Sequence, residues 1–106
     1  MPFLFLRLGE SYLGKSADAS LALAEAFFRA APADKRKRMN ETEWANSLKK
    51  FHREAKSIRQ RFSLGFLTRA LTAYYFQRRL LAAGYAADTV RKVVFSLVLS
   101  SFSNEA

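Results

Sequence analysis

Between Trp44 and Phe62 the apolar residues Trp44, Leu48, Phe51, Ala55, Ile58 and Phe62 recur at alternating spacings of four and three. At about 100° per residue they fall on one narrow stripe of an α-helix, whereas the two-residue period of a strand scatters them over both faces. Asn40 stands at the N-cap position of this helix, and Glu43 three residues later approximates a capping box. Lys49, Lys50, Arg53, Lys56 and Arg61 point away from the stripe, which makes the helix strongly amphipathic and basic. Such a stripe has to be covered, and the flanking segments supply further helices to cover it.

A helix is expected from about Ala17 to Ala31, with Ser16 as N-cap, Asp18 in the first turn and Leu23, Phe27 and Ala31 on one face. Pro32 and the polar residues 33–39, with the run Lys35-Arg36-Lys37-Arg38, mark a connection. Ser63 and Gly65 allow a break before a third helix, about Leu64 to Ala83. On that helix Phe66, Leu67, Ala70, Leu71, Tyr74, Leu80 and Leu81 cover more than half the circumference, as suits a central element touching several neighbours. Gly84 fits the left-handed residue that stops a helix, and Ala87 or Asp88 opens a fourth helix to about Phe102. Val90, Val93, Val94 and Leu97 form its inner face, although its valines also leave a strand over 93–99 as an alternative. Residues 3–8 are apolar but too short to classify as strand, helical turn or extended strip. They are expected to pack across the last helix, with residues 1–15 forming a strip and loop.

The fold class expected is therefore all-α, a small single-domain bundle of about four helices spanning residues 1–106. One domain is what 106 residues accommodate. An apolar fraction of 50% separates the chain from disordered polybasic tails. With no Cys and a single His, disulfides, thiolate zinc sites and a histidine-based triad are not expected, and neither is a cofactor. No apolar stretch reaches the roughly 20 residues of a spanning helix, so the expected setting is cytoplasmic without integral membrane association.

Charge suggests the partner. Residues 35–79 hold thirteen of the eighteen Lys and Arg but three of the nine acids. A field of that kind attracts polyanions, of which nucleic acid is the commonest for a small basic domain. Lys35, Arg36, Lys37, Arg38, Lys49, Lys50, Arg53 and Lys56 are the candidate phosphate-contacting residues. They would position a backbone without reading bases, because no recognition helix with base-reading Asn, Gln or Arg is evident. An anionic membrane surface is a lesser candidate, since it requires the Trp44, Leu48 and Phe51 stripe to be free.

Three other features carry candidate function. Phe95, Leu99 and Phe102 form a second apolar stripe on the last helix, open to residues 3–8, a second copy or a partner protein. Arg78 lies in register with Leu67, Leu71, Tyr74 and Leu81. It either snorkels, pairs with an acid such as Asp88, or joins Arg79 in a partner-binding edge. Gly9-Glu10-Ser11-Tyr12-Leu13-Gly14-Lys15-Ser16 satisfies the phosphate-loop pattern, with Lys15 and Ser16 in the phosphate and Mg²⁺ roles. The remaining chain offers no parallel sheet to hold such a loop, so Ser16 is read as a helix cap. His52, at the border of the stripe, is expected to be half-buried and hydrogen-bonded. Glu41, Glu43 and Glu54 are read as helix N-terminal charge and surface pairing.

The stretch Phe76-Gln77-Arg78-Arg79-Leu80-Leu81-Ala82-Ala83-Gly84-Tyr85, continuing through Asp88-Thr89-Val90-Arg91 to Val94 and Leu97, resembles the helical-repeat units of RecX-type recombination regulators. The likeness covers about twenty residues and implies helix–turn–helix geometry at Gly84. The chain lacks that family's repeated copies and its acidic pair, so only the geometry is carried over.

Overall fold

The computed structural model describes residues 2–102, with side chains from residue 14 onwards. All regular structure among them is helical: α1 (Pro2–Ala30), α2 (Ala33–Arg36), α3 (Glu41–Arg61), α4 (Phe66–Ala82) and α5 (Ala87–Leu99). The helices form one small domain. Helix α1 packs along both α3 and α4, and α5 closes the bundle against α4 with a lighter contact to α3. The strand alternative over residues 93–99 is thereby excluded.

Phe27 of α1 is the centre of the core. Its ring meets Trp44, Phe51, Phe76 and Tyr85 edge-on, at centroid distances of 6.2, 5.4, 6.3 and 5.2 Å. Phe51 stacks on Phe76 at 5.5 Å. Offset and edge-on arrangements of this kind are the favoured ones for ring quadrupoles. Phe51, Ala55 and Ile58 of the α3 stripe are buried, and Trp44, Leu48 and Phe62 pack partly buried against the same cluster.

The helix ends follow local chemistry. The Asn40 side chain accepts from the Glu43 N–H at 2.8 Å, capping α3 as its sequence implies. At the other end Leu64 N–H reaches Arg59 O and Ser63 N–H reaches Gln60 O, a Schellman closure with Ser63 at φ 52°. Helix α4 closes in the same way through Tyr85 and Gly84 N–H groups to Leu80 and Leu81 carbonyls, with Gly84 at φ 95°. Tyr85 then stacks on Phe28 and donates its hydroxyl to Ala31 O at 2.8 Å, tying this turn to the end of α1. The helix–turn–helix geometry at Gly84 is as the sequence implies.

Two expectations about elements need correction. Residues 2–15 are not a strip and loop, because α1 runs unbroken from Pro2 through Ala30. Ser16 is accordingly inside a helix and not its cap. The packing of residues 3–8 on the last helix falls on side chains outside the described residues. The second correction concerns α4. Its buried face is Thr68, Arg69, Thr72, Ala73, Phe76 and Leu80, while Phe66, Leu67, Tyr74 and Leu81 are exposed. The cause is packing against α1: Ser16, Ser20, Thr68 and Thr72 are all buried, Ser16 Oγ reaches Thr68 O at 3.5 Å and Arg79 reaches Ser20 Oγ at 3.0 Å. Small residues let two helices come together where Leu67 would hold them apart. Phe76, absent from the expected face, is the large side chain that α4 contributes to the core.

Candidate polyanion-binding face

On α3, Lys49, Arg53, Lys56 and Gln60 follow spacings of four, three and four, so they share one exposed stripe opposite the buried one. Lys50 is also exposed, but it lies about 100° around the helix from Lys49 and leaves this stripe. Its side of the helix holds the ion pair between Glu54 and Arg29, at 2.9 Å. A second ion pair joins Lys92 and Asp88 on α5, at 3.2 Å. Lys49, Arg53 and Lys56 make no ion pair with a described acid.

Toward the C-terminal half of α3 the stripe borders a pocket of about 610 Å³, lined by His52, Arg53, Lys56, Arg59, Gln60, Ser100 and Ser101. Two elements build it: α3 supplies the cations and His52, and the turn after α5 supplies the serines. That turn is anchored where Phe102 N–H reaches Leu97 O at 2.8 Å. Arg59 donates to Ser101 O at 3.0 Å. His52 is half-buried with both ring nitrogens engaged: Nε2 with Ser96 Oγ at 2.6 Å, and Nδ1 with Ser101 Oγ at 3.0 Å and Ser100 Oγ at 3.3 Å. Burial pushes the imidazole below its ordinary pKa of 6.5. The network contains serine–histidine pairs, yet no described carboxylate hydrogen-bonds to the ring to orient it as a general base. Chemically the pocket offers the positive charge of Arg53, Lys56 and Arg59, the groups that phosphate oxygens accept from, while the Ser100 and Ser101 hydroxyls donate to Ser96 O and His52 O at 2.7 and 3.2 Å and serve as its wall.

The candidate residues between α1 and α3 divide. Lys35 and Lys37 are exposed. The Arg36 guanidinium lies 3.9 Å from the Trp44 ring centroid, and its Nε is buried without a hydrogen-bond partner. Arg38 Nε reaches Asp34 O at 3.5 Å. Arg36 is thus engaged in covering Trp44, a cation–π contact that the run of four basic residues does not reveal. About 18 Å of helix rise separates Glu41 from Arg53, so this cluster and the pocket lie at opposite ends of α3.

The candidate partner edge is also divided. Phe95 and Leu99 are 65% and 64% exposed, but Phe102 is 5% exposed and belongs to the core. Helix α5 ends at Leu99, and the turn that follows carries Phe102 back inward instead of extending the outer stripe. Phe102 forms part of a groove of about 590 Å³ between α4 and α5, together with Phe66, Ala73, Tyr74, Val94 and Val98. Arg78 lies over Tyr74 and donates to its hydroxyl at 3.3 Å, not to Asp88. Arg79 donates to Ser20 Oγ at 3.0 Å, which joins α4 to α1 and removes Arg79 from an open edge.

The phosphate-loop pattern has no loop. Gly9 to Ser16 lie within α1, where backbone N–H groups are committed to carbonyls four residues earlier and cannot cradle a phosphate. Lys15 Nζ reaches Ser63 O at 3.1 Å, and Ser16 is buried against α4. Among the described residues no His, Cys, Asp and Glu group is placed to hold a metal ion, and no helix is long and apolar enough to cross a membrane. The α3 stripe is taken up by the core, so it is not open to a membrane surface.

Sequence reasoning missed Arg59, Ser96, Ser100 and Ser101. The periodicity did hold a signal for Arg59, which follows His52 and Lys56 on the flank of the stripe. Nothing local ties the serines to α3. No protein family, curated protein or solved structure matches this chain.

Proposed function

We propose that this protein is a small non-enzymatic binding module that holds nucleic acid by its phosphate backbone, with little sequence preference. The observation that carries this reading is the stripe of Lys49, Arg53 and Lys56, without ion-pair partners among the described residues, running into a pocket that adds Arg59. Cations that are not neutralised by the protein's own acids are available to displace counterions from a polyanion. Lys35 and Lys37 extend the positive field at the other end of α3, while the Arg36 guanidinium is held over Trp44 and Arg38 Nε reaches Asp34 O.

The test is binding to a random duplex and a random single strand across a salt series. Log affinity falls linearly with log salt, with a slope near −0.9 per phosphate neutralised on duplex, so about five contacts give roughly −4 to −5. Arg53→Glu with Lys56→Glu weakens binding about equally on all sequences while the helical circular dichroism signal persists. Unchanged affinity in that variant removes the stripe from the interface.

A second reading is docking of another protein, or of a second copy, through the outer face of α5. It is favoured by the exposure of Phe95 and Leu99 beside the α4–α5 groove.

A further inference from the structure

We infer that the pocket between α3 and the turn after α5 seats the terminal phosphate of a nucleic-acid strand, a monoester and not a backbone diester. This rests on the polyanion reading above and makes it more specific.

The pocket differs from the rest of the stripe in being two-sided. Arg53, Lys56 and Arg59 approach from α3, and Ser100 and Ser101 close the opposite wall. A strand lying along α3 can present internal phosphates to Lys49, outside the pocket, from the open side. A wall of serines obstructs a chain that must leave in both directions, and it suits a chain that ends there.

Charge points the same way. A phosphate monoester carries about −1.5 to −2 charge at neutral pH and three strong acceptor oxygens. A diester carries a single charge and two free oxygens. Among the described residues three cations and no carboxylate line this pocket, a set that matches the monoester. Arg59 is held in place by one N–H donated to Ser101 O. A guanidinium has five N–H donors, so the rest of its fork is not used by that bond. His52 acts as a positioning residue: its ring nitrogens fix the hydroxyls of Ser96 and Ser101 and thereby the wall that Arg59 leans on. A volume of about 610 Å³ lies in the range of small-ligand sites, ample for a terminal nucleotide and not only its phosphate.

The experiment compares single strands of one sequence bearing a 5′-phosphate, a 3′-phosphate or hydroxyls at both ends, labelled at the opposite end. It is run with the full chain at pH about 8, where the monoester is fully ionised. One of the phosphorylated ends binds about ten-fold more tightly than the hydroxyl strand, the worth of one added charge-assisted hydrogen bond. That advantage disappears in Lys56→Gln and Arg53→Gln, both exposed positions, and persists in Lys49→Gln, which weakens all strands alike. Equal, salt-dependent affinity for all three strands overturns the inference and leaves the backbone reading standing. Thermal stabilisation by a nucleoside monophosphate, with no strand binding, overturns both and assigns the pocket to a small phosphoester.

Discussion

Ser63 and His52 show how single residues carry both fold and site. Ser63 occupies the left-handed region, where an L-residue costs about 1–2 kcal/mol and glycine almost nothing. Its role at the end of α3 is a backbone one, and its carbonyl accepts Lys15. Ser63→Gly therefore raises the stability by roughly 0.5–1 kcal/mol, read as a higher denaturant midpoint at unchanged slope. For His52, burial holds the folded-state pKa below 6.5, so the unfolded chain takes up the proton first. The folded state is at full strength above that value and loses stability as pH falls through 6.5. Among the described residues the groups around the ring are the hydroxyls of Ser96, Ser100 and Ser101 together with the pocket cations, with no acid to offset the charge. Thermal melts between pH 7.5 and 5 show the loss in the wild type and a shallower one in His52→Gln. A stability that rises on acidification contradicts the burial argument.

At the scale of elements, helix α3 was legible in the sequence because its stripe, cap and basic face all agree. Helix α5 was legible for the same reason on its inner face, and the Gly84 stop followed from the demand for a positive φ. Helix α1 was half legible. The phosphate-loop pattern at Gly9 to Ser16 competed with helix, and two glycines lowered the local helix propensity. Gly14 lies within α1, and a Cβ built there meets nothing within 4 Å. Gly14→Ala is expected to stabilise the protein by about 1 kcal/mol. A loop requiring glycine at that position would instead be disrupted, so thermal denaturation of this one variant separates helix from loop. Helix α4 was misread at the level of its face. With apolar residues around most of its circumference, local pattern has several equivalent solutions, and the approach of Ser16 and Ser20 selects the one bearing Thr68 and Thr72.

For the whole molecule, the consequence of that selection is an apolar outer surface. Phe66, Leu67, Tyr74, Phe95 and Leu99 are all exposed, the kind of outer apolar side chain that a second copy or another protein would cover. If a second copy covers α5, light scattering gives a concentration-dependent mass above the monomer, and Phe95→Ser with Leu99→Ser returns it to monomer without loss of helicity. A monomeric mass at high concentration removes that reading, and the basic stripe on α3 is unaffected by either outcome. The sequence by itself determined that the chain is helical, where α3 and α5 lie, and that positive charge gathers on α3, because each of these depends on residues within a few turns of one another. Tertiary structure decided which face of α4 is buried, that Arg36 covers Trp44, that Phe102 turns inward, and that serines from the end of α5 meet His52 and Arg59. The serines meet His52 and Arg59 across more than forty positions, the face of α4 depends on its packing against α1, and Arg36 and Phe102 are placed by turns outside the long helices, none of which a helical period encodes.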